Sequence, residues 1–216
     1  ANSITPLSSL AQTAHTLMPE QLVFDEEEDK ADLAEVLLTI SNRTNHLNNF
    51  IRSFNQISSL PAPDLKEIDV NILIKRVIAL FKAQTTSEQI TLSFYSDTSC
   101  LLMADVAQIE QSIINIIKNS LDAVADAPKK LVQLNLYQKV ISSGRQQLIL
   151  DIEDYGPGVA LHVVEQIFVP FFTTKKSGSG IGLSLSRQIM LQHGGDLQYI
   201  DKENIGACFR LSFGIF

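Results

Sequence analysis

Apolar residues recur at helical spacing through residues 1–60. The pattern predicts one helix over residues 8–18 and a longer helix over residues 33–57, which ends before Pro61 and Pro63. The apolar face of the longer helix comprises Leu33, Val36, Leu37, Ile40, Thr44, Leu47, Ile51, Phe54 and Ile57. Two helices of this size cannot bury both apolar faces against each other alone. We therefore expect residues 1–60 to form an antiparallel helical hairpin that pairs with a second copy as a four-helix bundle, so that the protein is a homodimer.

Residues 61–65 form a predicted linker, and beyond them helical and strand patterns alternate. Helices are predicted over residues 70–81, 105–125 and 181–193, and strands over residues 90–95, 131–141, 147–153, 195–200 and 208–213. Ser142-Ser143-Gly144 between two of these strands indicates an antiparallel hairpin. The predicted fold class is α+β, with the helical hairpin followed, over residues 66–216, by an α/β sandwich of one mixed sheet and one layer of helices.

The composition is that of a globular protein, because 45% of the 216 residues are hydrophobic and 19% are charged. A net charge of -7 argues against nucleic acid binding, since phosphate contacts need clustered Lys or Arg. No apolar run of about 18 residues occurs, so we expect no membrane segment in this chain. Cys100 and Cys208 are too few and too far apart for a disulfide framework, so we expect reduced thiols and a cytoplasmic location.

A polar stripe follows one face of the predicted helix over residues 105–125, where Asn115, Asn119 and Asp122 lie at positions i, i+4 and i+7. A separate apolar stripe comprises Ile109, Ile113, Ile117 and Leu121. A solvated helix face is the simplest interpretation of the polar stripe. Asn is nevertheless a poor former of helix interiors, because its amide competes for backbone groups. Two Asn one turn apart therefore indicate a site, and amide oxygens can hold Mg²⁺ beside phosphates.

Two glycine-containing blocks carry further candidate chemistry. Asp154-Tyr-Gly156-Pro-Gly158 follows a strand and places a carboxylate before a sharp turn, for which a plain capped turn is the alternative. Gly178-Ser-Gly180-Ile-Gly182-Leu183 precedes a helix, so its backbone N–H groups can approach phosphate oxygens, and a flexible connector is the alternative. The second block is neither a P-loop nor a dinucleotide-binding fingerprint.

The stretch between these blocks runs from Phe168 through Pro170, Phe171, Phe172 and Thr174 to Lys175. Clustered Phe residues are typical of a core. An apolar anchor attached to a glycine-rich segment also predicts a lid that docks and opens over a ligand. Lys175 would then neutralise a terminal phosphate, with Lys118 and Lys176 as further candidates.

In their order along the chain, these blocks and Gly206-Ala-Cys-Phe209 resemble the catalytic ATP-binding domain of sensor histidine kinases, and residues 1–60 resemble the dimerisation and phosphotransfer hairpin of that family. The resemblance implies ATP and Mg²⁺ as cofactors. It implies that Asn119 ligates the metal, that Asn115 lies by the phosphates and that Asp154 accepts a hydrogen bond from the adenine amino group. The expected nucleotide pocket is completed by Gly156, Gly158, Phe171, Thr174, Gly178, Gly180, Gly182 and Leu183.

The function implied is that of an ATP-dependent protein-histidine kinase, in which Asn115, Asn119 and Lys175 are the catalytic residues and the phosphate passes from a histidine to an aspartate on a response-regulator receiver domain. By analogy, a parent protein could carry an anchor in the inner membrane. A nucleotide-binding scaffold without turnover is one alternative. A mismatch-repair-like ATPase is another, but members of that class carry at the Asn115 position a Glu that activates water, and Asn cannot act as this base.

The acceptor histidine is not among the His residues of the sequence, because none of His15, His46, His162 and His193 lies in a context matching the family. Residues 1–7 resemble the continuation of the acceptor block His-Glu-x-x-Asn-Ser-x-Thr-Pro, which would place the acceptor three residues before Ala1. A rival register based on His-Glu-x-x-Thr-Pro-Leu would place Ala1 itself at the acceptor position. Under either register we expect this sequence to lack its phosphorylation site.

Overall fold

The computed structural model describes residues 33–42, 44, 51, 60–98, 101–140, 144, 146–175, 178–203 and 205–214. The chain divides into two compact units, residues 1–59 and 60–216, within one residue of the predicted linker. In the first unit, residues 33–42, 44 and 51 are helical, as predicted. The predicted helix over residues 8–18 lies outside the described residues, as do His15 and His46. The helical hairpin and its dimer therefore remain predictions.

The second unit contains the helices and strands that the sequence predicts, together with further short elements. Its helices are α1 (Val70–Leu80), α2 (Lys82–Ser87), α3 (Val106–Val124) and α4 (Gly182–Gln192), with a short 3-10 helix at Leu161–Val163. Its strands are β1 (Lys66–Asp69), β2 (Thr91–Ser96), β3 (Leu101–Ala104), β4 (Leu131–Val140), β5 (Gln146–Asp154), β6 (Asp196–Tyr199) and β7 (Ala207–Gly214). Among the described helices, none is long and apolar enough to cross a membrane.

Five strands form a mixed sheet in the order β2-β4-β5-β7-β6. β2 runs parallel to β4, whereas the remaining neighbours are antiparallel. Val140, the last residue of β4, pairs with Gln146, the first residue of β5, which confirms the predicted hairpin. The sheet order also places the last residue of β5, Asp154, opposite the first residue of β7, Ala207.

The expectation of a single sheet was wrong, because β1 and β3 pair antiparallel in a separate two-stranded sheet. Each strand has four residues, too few to give a clear alternating pattern. Ile68 lies opposite Leu102, and both are buried. The stabilising contact joins residues far apart in the sequence, so no local signal indicates it.

The helices cover one face of the five-stranded sheet. On this face, β5 presents the buried residues Leu148, Leu150 and Ile152. The predicted apolar stripe of α3 is confirmed, since its members have no exposed surface: Ile109, Ile113, Ile117 and Leu121. The burial of these side chains supplies the main apolar core of the unit and fixes the polar stripe of α3 away from the sheet.

The opposite face of the sheet carries a buried ion-pair cluster. Asp151 accepts hydrogen bonds from Arg210 Nε (2.7 Å) and Nη2 (2.8 Å), from Lys202 Nζ (2.9 Å) and from the Tyr137 hydroxyl (3.2 Å). Lys202 also pairs with Glu153. A sheet with one apolar and one polar face is the two-layer arrangement that the sequence predicts.

The start of α3 is tied to the end of α4. The Asp105 side chain caps α3 by accepting hydrogen bonds from the backbone N–H groups of Ala107 and Gln108. The backbone N–H of Asp105 donates to His193 Nε2 (3.0 Å), and Nδ1 of this histidine lies 2.8 Å from the carbonyl oxygen of Ile189. Because a carbonyl can only accept, Nδ1 carries the proton, and the neutral ring joins the two helices that hold the candidate site.

Candidate functional site

A cavity of about 720 Å³ opens beside α3, the N-terminal end of α4 and the first residue of β7. It brings together most of the predicted site residues, namely Asn115, Lys118, Asn119, Asp154, Gly158, Thr174, Lys175, Gly178, Gly180, Gly182 and Leu183. Gly156 and Phe171 do not line it. Lys176 lies outside the described residues. The volume is in the range of pockets that bind small molecules.

Asp154 forms the buried end of the cavity, where its side chain is only 2% exposed. Its Oδ1 atom accepts hydrogen bonds from the backbone N–H groups of Gly156 (3.0 Å) and Ala207 (3.2 Å). Burial raises the pKa of Asp154 above its usual range, and these hydrogen bonds only partly oppose the effect. Since both backbone donors bind Oδ1, Oδ2 is the oxygen available to a donor on a ligand.

Gly206 allows the backbone to approach Asp154 closely. A Cβ atom at this position would lie 2.4 Å from the Gly156 carbonyl oxygen and 2.7 Å from Asp154 Oδ1. The backbone N–H of Gly206 also donates to the Asp154 carbonyl at 2.8 Å. Gly156 and Gly206 therefore pack around the carboxylate and orient it, which explains why Gly156 lies outside the lining of the cavity.

Asn115 is a residue of α3, and its side chain contacts the first turns of α4. Its Nδ2 atom donates to the Ser186 hydroxyl at 3.3 Å, and a Cβ atom on Gly182 would lie 3.7 Å from the Asn115 side chain. None of the described side chains caps the N-terminus of α4. Its first backbone N–H groups lack an intrahelical acceptor, and Gly182 and Leu183, which carry two of them, line the cavity, an arrangement that favours an anion.

Phe171 and Gly180 close the base of the segment that carries Lys175. The Phe171 N–H donates to the Gly180 carbonyl at 2.8 Å, and both residues have positive φ, 70° and 69°. A Cβ atom at Gly180 would lie 2.4 Å from the carbonyl carbon of Phe171, so only glycine fits there. The neighbouring Phe172 lines the cavity in place of Phe171.

Lys175 binds the polar stripe of α3. Its Nζ atom donates to Asn119 Oδ1 at 3.1 Å and to Asp122 Oδ2 at 2.8 Å. The ion pair is half-exposed, with 44% of the Lys175 and 43% of the Asp122 side chain accessible. The amide oxygen predicted to hold a metal thus points into the cavity and already accepts a hydrogen bond from a cation.

The cavity also includes residues that were not among those predicted to line it, such as Ala123, Val159, His162, Val163, Ile167, Phe172 and Phe209. Phe209 lies in the Gly206-Ala-Cys-Phe209 block, so its neighbourhood was indicated. The exposed His162 belongs to the 3-10 helix, for which the sequence has no periodic signal. Together, the apolar members of this set provide a wall suited to a flat aromatic group.

A second group of potential metal ligands, formed by Asp151, Glu153 and Cys208, lies on the other face of the sheet. Lys202 and Arg210 neutralise the two carboxylates. Burial raises the pKa of the Cys208 thiol to about 12, so the thiol stays protonated at neutral pH and is a poor ligand. This cluster therefore serves the fold.

The chain is similar to proteins of known class. A family model described as histidine kinase-, DNA gyrase B- and HSP90-like ATPase matches residues 104–215. The sensor histidine kinase TmoS of Ectopseudomonas mendocina is 29% identical over 97% of this chain and 21% of its own length. The signal transduction histidine-protein kinase AtoS of Escherichia coli (strain K12) is 32% identical over 82% of this chain and 28% of its own length. The chain thus spans less than a third of either relative.

Solved structures agree with these relatives. The catalytic domain of the histidine kinase ThkA superimposes with a TM-score of 0.59 at 27% identity, covering 70% of this chain and 97% of that domain. The complex of ThkA with the response regulator protein TrrA matches 99% of this chain and 59% of that chain, at 23% identity and a TM-score of 0.65, which shows the fold. Because the family model covers more than half of the residues, the chain belongs to the family of histidine kinase-, DNA gyrase B- and HSP90-like ATPases, and the predicted resemblance to sensor histidine kinases is confirmed.

Proposed function

We propose that this chain binds ATP with Mg²⁺ and acts as a protein-histidine kinase of a two-component signalling system. The observation that carries the proposal is the convergence of Asn115, Asn119, Asp154 and the N-terminus of α4 on one cavity. These groups come from three elements far apart in the sequence. They supply, in one place, an acceptor for a base, an amide oxygen for a metal and free N–H groups for phosphates.

Adenine fits the Asp154 end of the cavity. Oδ2 of a buried carboxylate can accept a hydrogen bond from the exocyclic amino group of adenine, whereas guanine has an oxygen at that position. The buried Ser120 hydroxyl lies beside the Asp154 carboxylate and lowers its pKa by hydrogen bonding. This end of the cavity thus combines a carboxylate with a hydroxyl, both suited to a polar ligand.

The donor set around Asn119 fits a magnesium ion. Mg²⁺ is usually held by one or two protein oxygens together with substrate phosphates, and Asn119 Oδ1 is such an oxygen. The hydrogen bond from Lys175 supports this assignment, because Asn119 Oδ1 already stabilises positive charge. When bound, the metal would neutralise charge on the β- and γ-phosphates and orient them.

The remaining residues have defined tasks in transfer. The free N–H groups at the start of α4 would bind phosphate oxygens, and Lys175 would neutralise the terminal phosphate. A histidine imidazole nitrogen would form a bond to the γ-phosphorus while the bond to the β,γ-bridging oxygen breaks and ADP leaves. Asn115, held by Ser186, would orient the phosphates and would not take up a proton.

No glutamate is among the described residues that line the cavity. The carboxylates there are Asp122, which is paired with Lys175, and Asp154, which binds backbone N–H groups at the buried end. Asn115 occupies the position at which mismatch-repair-like ATPases carry a Glu. The arrangement therefore favours transfer to a protein acceptor over hydrolysis.

The proposed partners follow from the relatives. ThkA binds a response regulator, and we infer that this chain passes its phosphate to an aspartate on a receiver domain of that kind, in the cytoplasm. We also infer a homodimer through residues 1–60. The exposure of Val36 and Ile40, four residues apart on the predicted apolar face of the helical residues 33–42, supports this inference, because an exposed apolar face on a helix favours a partner surface.

Incubation with labelled ATP tests the function. The protein is produced with an acceptor block added ahead of Ala1, in the register that places a histidine three residues upstream. Label that is stable to alkali and lost in acid, and that a receiver domain removes, is the expected result. Tight ATP binding without label would instead favour a scaffold, and release of phosphate without a labelled protein would favour a hydrolase. Replacing the added histidine by Gln is the matched control.

A further inference from the structure

We propose that Asp122 is a positioning residue that, together with Asn119, holds the Lys175 ammonium in the nucleotide-free protein, and that the cation entering with the nucleotide releases Lys175 from these oxygens for the terminal phosphate. This inference rests on the proposed ATP and magnesium site. It adds a role for Asp122 that differs from metal ligation.

The geometry joins two parts of the cavity that are distant in sequence. Asn119 and Asp122 lie three residues apart on α3, so their side chains point to the same side of the helix. Lys175 lies 53 residues after Asp122 and 56 residues after Asn119. Its Nζ atom donates to Asp122 at 2.8 Å and to Asn119 at 3.1 Å. The contact therefore fixes the segment that carries Lys175 against α3.

The same contact is incompatible with a metal on Asn119. A magnesium ion and an ammonium group cannot both bind Oδ1 at close range, because the two cations repel each other. Loading of the site must therefore move Lys175 away from Asn119. The hydrogen bond from the Phe171 N–H to the Gly180 carbonyl closes the base of the segment without Lys175, so release of Lys175 need not disturb this contact.

The exposure of the pair makes this release easy. Half-exposed ion pairs are weak. Loss of Asp122 should therefore change the equilibrium between bound and released Lys175 by only about two- to fivefold. A contact of this strength can hold Lys175 in the empty site without preventing nucleotide from entering.

The first test uses the nucleotide-free protein. Trypsin must take the Lys175 side chain into its own specificity pocket, so cleavage after Lys175 reports release from Asp122. We expect about two- to fivefold faster cleavage at this bond in Asp122→Ala, followed by mass spectrometry. Asp126→Ala is the matched control, because Asp126 is exposed near the same end of α3 and does not line the cavity. Equal cleavage rates in Asp122→Ala and the unaltered protein would overturn the inference.

The second test is a double-mutant cycle on nucleotide affinity, measured by calorimetry with Mg²⁺ present. Asp122→Ala should tighten ATP binding about two- to fivefold, because Lys175 no longer has to leave a partner. Lys175→Gln should weaken binding, and in that background Asp122→Ala should give no gain. Asp122→Glu should restore the behaviour of the unaltered protein, since it retains the anion.

Each other outcome of the cycle contradicts the role of Asp122. If Asp122→Ala tightens ATP binding in the Lys175→Gln background as well, the effect of Asp122 is electrostatic repulsion of the phosphates and does not involve Lys175. Weaker binding in Asp122→Ala that appears only with Mg²⁺ would make Asp122 a metal ligand. If the unaltered protein binds no ATP, the proposed function fails, whereas the cleavage test still decides whether Asp122 holds Lys175.

Discussion

Asp151 and Asp154 lie three residues apart on β5, and the structure places these two buried carboxylates in opposite electrostatic surroundings. Asp151 points to the polar face of the sheet, where Arg210 and Lys202 neutralise it. Burial tends to raise its pKa, but the hydrogen bonds from these two cations outweigh burial and hold the pKa below its usual range. Asp154 points to the helical face, accepts hydrogen bonds from the backbone N–H groups of Gly156 and Ala207, has no cation among its described partners, and has a raised pKa.

The difference separates a carboxylate that serves the fold from one that is available to a ligand. The partners of Asp151 satisfy both of its oxygens, so a ligand would have to break strong charge-assisted hydrogen bonds. In Asp154, Oδ2 accepts no hydrogen bond from the backbone and can accept one from a ligand. Burying this carboxylate without a cation costs free energy, which the rest of the fold must offset. A buried carboxylate with a raised pKa in a cavity is typical of a functional site.

The largest expected effect is on folding at Asp151. Replacing it by Ala leaves Arg210 and Lys202 without their buried partner, and we expect the free energy of unfolding to fall by about 3 kcal/mol. Urea denaturation measures this change. Asp201→Ala, which removes an exposed carboxylate, should leave the stability within about 0.5 kcal/mol. A loss at Asp151 no greater than in this control would mean that the cluster contributes nothing to stability.

Asp154→Asn should instead weaken ATP binding and leave the stability of the fold intact. We expect ATP binding to weaken by about 1–3 kcal/mol, because the charged acceptor for the adenine amino group is lost. The amide oxygen can still accept from Gly156 and Ala207, so the free energy of unfolding should hold or rise. Calorimetry with ATP and denaturation of the same samples separate the two quantities. Unchanged ATP affinity would remove Asp154 from the nucleotide site.

The pH dependence of ATP affinity should reveal the raised pKa of Asp154. The protonated carboxyl is a poorer acceptor, so affinity should fall as the pH drops through that pKa and level off after a loss of about 1–3 kcal/mol, the loss expected for the uncharged Asp154→Asn. The fall should begin at a higher pH than an ordinary Asp would give. Dissociation constants measured against pH provide the check, with Asp154→Asn as the control that lacks this limb.

The two aspartates also have opposite signs in the pH dependence of stability. A carboxyl with a lowered pKa, such as Asp151, stabilises the fold above its unfolded pKa and loses that contribution as the pH falls through the folded value. A carboxyl with a raised pKa, such as Asp154, contributes stability below its unfolded pKa and loses it as the pH rises through the folded value. Asp151→Ala should therefore reduce the acid sensitivity of unfolding, whereas Asp154→Asn should not.

The smallest effect is expected at Lys202. Lys202→Gln removes one of the cations around Asp151, but Arg210 remains bound through two nitrogen atoms. We expect a loss of about 1 kcal/mol in the free energy of unfolding, since the Lys202 side chain is partly exposed. Lys139→Gln, an exposed lysine on the same face of the sheet, is the matched control. A loss as large as that of Asp151→Ala would mean that Lys202 alone stabilises the carboxylate.

Much of the fold could be predicted, because the signals are local. The apolar stripe of α3, the β4–β5 hairpin and the helix after the glycine block each follow from periodicity or turn residues within a few positions. β1 and β3 were missed because four-residue strands have little pattern of their own. The bond between Asp105 and His193 was also inaccessible, since it joins residues 88 positions apart.

In the candidate site too, short motifs could be predicted from the sequence, whereas contacts between distant residues could not. Residue type and spacing indicated Asn115, Asn119, Asp154 and the glycine block, because each belongs to a short motif. The contact of Lys175 with Asp122 needed the tertiary structure, as did the inclusion of Phe172 in place of Phe171. The backbone of Phe171 closes the base of its segment, and no spacing rule reveals which of two adjacent Phe side chains faces the cavity.

The sequence by itself determined which helices and strands form and which polar residues stand out on them, because both depend on side chains within one or two turns of each other. Only the tertiary structure decided that Asp151 meets cations and Asp154 does not. The alternation of side chains along β5 sends the two carboxylates to opposite faces of the sheet, and the pairing of β5 with β7 brings Arg210 to one and the backbone of Ala207 to the other. Electrostatic environment is a property of neighbours in space, and those neighbours come from distant parts of the chain.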